Sequence, residues 1–190
     1  TPGQNNIEAF PNRLKPSVPG YITRFEPNLV YSGSKKVPRV DVIHLHHGVW
    51  LARGYPTFAA GEEKTTFQLP RGYGYRYDPS DRWIMNYMIH NLLPTPTRVS
   101  LTYDIDFIPA SAPAAQSITE AKPLWMDVSG LRSYPVFDVF KGQGRNGKFT
   151  FPDQARPAQR DDIGPAHEFT APRDMTLLAT AGHLHPGGLH

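Results

Sequence analysis

Thr97-Arg98-Val99-Ser100-Leu101-Thr102-Tyr103-Asp104-Ile105-Asp106-Phe107-Ile108 decides the fold class. Val99, Leu101, Tyr103, Ile105 and Phe107 occupy every second position, and Arg98, Ser100, Thr102, Asp104 and Asp106 fill the alternate ones. Successive side chains of a β-strand leave opposite faces, so this is a half-buried antiparallel strand with one apolar and one solvated face. Asp104 and Asp106 then read as solvated residues rather than as chemistry.

Working outward, the same kind of segment recurs. Residues 83–92 form an apolar run closed by Pro94-Thr95-Pro96. Residues 21–31 predict a first strand interrupted by Pro27, with a turn at Gly33-Ser34-Lys35-Lys36. Residues 39–47 predict the central strand, and residues 65–69 a short one ending at Pro70. Residues 71–82, with Tyr73, Tyr75 and Tyr77 among glycines, predict a loop covering one end of a sandwich, or an aromatic wall beside a cleft. Short strands follow at 124–128, 136–140 and 149–151, and a last one at 175–185. No fixed-period repeat and no long amphipathic helix is present. Twenty prolines and sixteen glycines in 190 residues suit short strands joined by many turns. The expected fold is an all-β antiparallel sandwich, jelly-roll-like, with residues 1–20 as an extended arm, 21–110 as a first sandwich unit, 111–123 as an Ala/Ser/Pro-rich linker, and 124–190 as a second β unit, incomplete or packed into the same sandwich.

Composition excludes several function classes. Hydrophobic residues make up 39% of the chain and aromatics 12%, enough for a sizeable core. The net charge of +3 comes from scattered cations, without the basic stripe that nucleic acid requires. No apolar run is long enough to span a membrane as a helix. There are no cysteines, so disulfides, zinc–thiolate sites, iron–sulfur clusters and thiol nucleophiles are out. Phosphate-binding and dinucleotide glycine motifs and the serine-hydrolase elbow are also missing. A secreted protein is expected, and the stop at His190, directly after a motif, suggests a fragment or processed product.

The chemistry concentrates in histidine. His44-Leu45-His46-His47 puts three imidazoles within four positions of the central strand. Met88-Ile89-His90 carries another in the strand at 83–92, and His183-Leu184-His185 ends the chain's last predicted strand. Residues two apart share a strand face, so His44 with His46, and His183 with His185, form same-side pairs. In the last strand the stripe Met175, Leu177, Ala179, Ala181 leads into His183 and His185. Buried imidazoles need partners, and a metal ion supplies one. His46 and His47 point apart in a regular strand; a bulge near Gly48 would let both face one site. The candidate ligands are therefore His44, His46, His47, His90, His183 and His185. Imidazole donors without thiolate suit copper, zinc, nickel or iron, and a nearby methionine tilts the choice to copper.

His44-Leu45-His46-His47-Gly48-Val49-Trp50, Tyr87-Met88-Ile89-His90-Asn91 and Gly182-His183-Leu184-His185-Pro186-Gly187-Gly188 together resemble the stress-up-regulated nodulin family over roughly residues 20–190. More distantly they are similar to the copper type II, ascorbate-dependent monooxygenases of the peptidyl-glycine hydroxylating kind. That resemblance implies two jelly-roll domains and two coppers. Carried over, His46, His47 and His90 would form an electron-transfer site, and His183 and His185 would begin an oxygen site completed by a downstream methionine. None of the residues after His185 is methionine, and His44 has no place in that scheme. The sequence thus predicts a secreted copper-binding (or zinc-binding) β-sandwich related to these monooxygenases. The competing expectation is a non-catalytic extracellular structural protein that self-associates, or binds another chain, through its Pro-rich arm and Tyr-rich loop.

Overall fold

The computed structural model describes residues 4–9, 15–126, 159–160, 164–165 and 169–182. The chain divides into two compact units, Thr1–Pro123 with Leu178–Ala181, and Leu124–Leu177 with Gly182–His190.

In the first unit the strand at the decisive alternation is β8 (Val99–Pro109). It pairs along its whole length with β2 (Gly20–Tyr31). Val99, Leu101, Tyr103, Ile105 and Phe107 pack against the core, while Asp104 and Asp106 are exposed, as the alternation requires. Pro27 does not interrupt β2. It is fully buried and lies opposite Tyr103. Among the described residues, β2 beyond Phe25 is paired by β8 alone, so a residue without an N–H is tolerated on the other flank. That other flank carries β6 (Tyr73–Tyr77) and β5 (Phe67–Gln68) at the first half of β2, and β6 pairs in parallel with β9 (Thr119–Ala121).

The opposing sheet is β1 (Gln4–Ala9), β7 (Trp83–Asn91), β3 (Ile43–Ala52) and β4 (Tyr55–Gly61), in that order and antiparallel throughout. Aromatic side chains from the two sheets meet between them. The Phe25 ring of β2 stacks on Phe58 of β4 at 4.4 Å and meets Trp50 of β3 edge-on at 4.9 Å. Tyr103 reaches both Trp50 and Trp83. Leu29, Ile22, Leu45, Met85 and Tyr77 complete this buried layer. The molecule is all-β, as expected: the described residues hold no α-helix, only the five-residue 3₁₀ turn Pro113–Ser117.

Four segments differ from their sequence reading. Residues 73–77 are a strand, not a loop: Tyr75 and Tyr77 are core residues, so the Tyr-x-Tyr-x-Tyr spacing is itself the period-two signal. Gly74 is required there, since a Cβ would lie 2.7 Å from that of Tyr21. Residues 4–9 form an edge strand on β7, and residues 111–123 hold the 3₁₀ turn and β9. Residues 174–182 pair with no strand, and Met175 and Leu177 are 58% and 77% exposed, so the predicted apolar stripe faces water. In the second unit, the described strands β10 (Gln159–Arg160) and β11 (Gly164–Pro165) form an antiparallel pair.

Candidate metal centre

The histidine-rich strand β3 carries a bulge where chemistry was expected. Leu45 pairs with Ile89 and His47 with Met88, so His46 is the extra residue on β3. The bulge inverts the parity of the strand. Ile43 and Leu45 belong to the core before it, and Trp50 and Ala52 after it. Gly48 also faces inward, since its missing Cβ would meet Met85 at 3.0 Å and the Trp50 ring at 3.1 Å. His44, the bulged His46 and His47 consequently share the sheet's other face. On β7 the core takes Trp83 and Met85, leaving Met88 and His90 on the histidine face. His44 pairs directly with His90 and His47 with Met88.

This register brings His44, His46 and His90 together. One ring nitrogen from each falls within 4.8 Å of the other two, and all three residues are buried. The His46 and His90 rings stack at 4.3 Å with 22° between planes. His44 Nε2 lies 3.2 Å from His90 Nδ1. Two donors held about 2.0–2.1 Å from one tetrahedral metal are about 3.3 Å apart, so this edge already has the spacing of a shared ion. The other nitrogen of His44, Nδ1, sits 2.6 Å from the Val40 carbonyl oxygen. A carbonyl only accepts, so Nδ1 carries the proton and donates, and Nε2 is the nitrogen that could ligate an ion. A backbone carbonyl orienting a ligand imidazole in this way is a recurrent feature of metal sites.

His47 is buried beside this group, its ring 5.7 Å from that of His46, but it is not one of the three. Of the set His46, His47 and His90 implied by the monooxygenase resemblance, His46 and His90 fall in the group whose ring nitrogens lie within 4.8 Å of one another, together with His44. His183 and His185 lie outside the described residues.

Among the described residues, Glu62 approaches the group. Glu62 Oε1 is 3.0 Å from His44 Nε2, with the Glu62 side chain 45% exposed. Glu62 follows Gly61, the end of β4 that pairs with His47. Its neighbour Glu63 is committed to the turn, accepting from the Gly61 N–H at 2.8 Å and from the Thr65 hydroxyl at 3.4 Å. Only the pairing of β4 with β3 distinguishes the two carboxylates.

Comparison with known proteins finds no matching family model, no similar curated protein and no similar solved structure.

Proposed function

We propose that this protein binds a transition-metal ion, copper, through His44, His46 and His90. The observation that carries the reading is the convergence of three buried imidazoles from two paired strands, with ligand atoms mutually within 4.8 Å. Imidazole donors suit copper. Met88, beside His90 on its strand and opposite His47, places a thioether on the same face, which favours copper over zinc. The resemblance to copper monooxygenases supports the same ion. Bound copper would supply one-electron redox chemistry. The chain's own contribution is to fix the ligand tautomer through Val40 and to bury the imidazoles.

Copper titration of the intact protein is the direct test. One ion should bind per chain, and His90→Ala or His44→Ala should remove that stoichiometric site. Retention of one tight ion in both variants would defeat the assignment. The monooxygenase reading asks more: oxygen consumption by the copper-loaded protein with ascorbate, suppressed in the same variants. Metal binding without oxygen consumption would leave a copper-binding protein and end the enzymatic reading.

A further inference from the structure

We propose that Glu62 is the counter-charge of this centre and makes it prefer a divalent over a monovalent ion. The inference rests on the three-histidine reading above. Three neutral imidazoles leave the whole charge of a bound cation uncompensated in a buried site, where desolvation is costly. Glu62 is the carboxylate that reaches the group, 3.0 Å from the ligating nitrogen of His44. The contact has a built-in orientation. His44 Nδ1 is occupied by the Val40 carbonyl, so the ring turns Nε2 towards both His90 and Glu62. An ion bound at Nε2 would therefore lie next to the Glu62 carboxylate.

The position of Glu62 on the turn after β4 matters too. Glu63 shapes the turn, while the Glu62 side chain remains half in solvent above buried ligands. A carboxylate so placed can take up an incoming cation and stay at the centre's solvent side once it is bound. The attraction between Glu62 and the ion grows in proportion to the ion's charge, so a dication gains twice the free energy that a monocation gains. Specificity for oxidation state follows from this difference, whether the carboxylate bonds the ion or stands behind His44.

The experiment compares zinc(II) and copper(I) affinities of the wild-type protein, Glu62→Gln and His90→Ala. Glu62→Gln keeps the shape and removes the charge. We expect zinc(II) affinity to fall about tenfold or more and copper(I) affinity about threefold, since outer-sphere partners of metal ligands are worth about 10–100-fold and the monovalent loss is half the free energy. The reduction potential of the copper-loaded Glu62→Gln protein should rise accordingly. Equal losses for both ions would mark Glu62 as structural and overturn the inference, as would no change in either. In both cases loss of binding in His90→Ala would leave the three-histidine centre standing. Failure of the wild-type protein to bind either ion would overturn the centre and this inference together.

Discussion

Phe25 is the residue on which the two sheets most visibly depend. Its ring touches Phe58 and Trp50 from the facing sheet and Tyr103 from its own. Replacing it by alanine removes those contacts and leaves a cavity between rigid aromatic neighbours, so Phe25→Ala should lower stability by about 3–5 kcal/mol in chemical denaturation. A loss under about 1 kcal/mol would mean that the layer can collapse onto the gap. At the candidate metal centre, two adjacent histidines have different places. His46 belongs to the three-nitrogen group and His47 lies beside it. His46→Ala should abolish stoichiometric copper binding, whereas His47→Ala should keep one ion per chain with affinity within about tenfold of the wild type. Calorimetric titration of the two variants settles the order, and a larger loss in His47→Ala would reverse the assignment.

The bulge in β3 is the element that builds the site. Without the extra residue, strand parity would continue unbroken and the segment after Leu45 could not return Gly48 and Trp50 to the core while His44, His46 and His47 keep one face. Gly48 holds the far side of this device. A methyl group there would press on Met85 and on the Trp50 ring, at 3.0 Å and 3.1 Å, and both belong to the packed layer. Gly48→Ala is therefore expected to cost about 1–3 kcal/mol by overpacking. Where the contact is relieved by a shift of β3 against β7 rather than of the Met85 methyl end, the same variant should bind copper more weakly than the wild type. A destabilised protein with unchanged copper affinity would show that the bulge tolerates displacement at Gly48 without moving its histidines.

At the scale of the molecule, burial governs the response to alkali. Burial pushes the Tyr103 phenol up to about 12, and burial followed by the charges of Asp81 and Asp78 pushes Tyr77 to about 12, against an ordinary value of 10.0. Tyr77 also donates its hydroxyl proton to the Pro16 carbonyl oxygen at 2.7 Å. Both groups are held neutral in the fold, so their contribution is fully present below pH 10 and is lost as pH rises through about 12. Absorbance titration should show two phenols ionising late, together with the loss of the β circular dichroism signal. Their ionisation with the exposed tyrosines, before unfolding, would refute this. What the sequence determined by itself was the set of strands with strong alternation, such as the one read at 97–108, and the all-β class. Alternation reports a strand with one wet face, and a sandwich with two such sheets follows from it. The Tyr-rich strand at 73–77 was concealed because glycine and arginine at its alternate positions mimic a loop. The stripe from Met175 onward misled because apolar alternation does not by itself supply a pairing partner, and exposed Met175 and Leu177 have none of the burial it implied. The local sequence also announced that histidines mattered. It did not determine which of them converge. His44 meets His90 across 46 positions, and Glu62 meets His44 from the turn after a third strand, because ladder register is set by the packing of whole sheets and by one inserted residue. A one-residue change of register moves every side chain to the other face, so the choice among His44, His46 and His47 belonged to the tertiary structure alone.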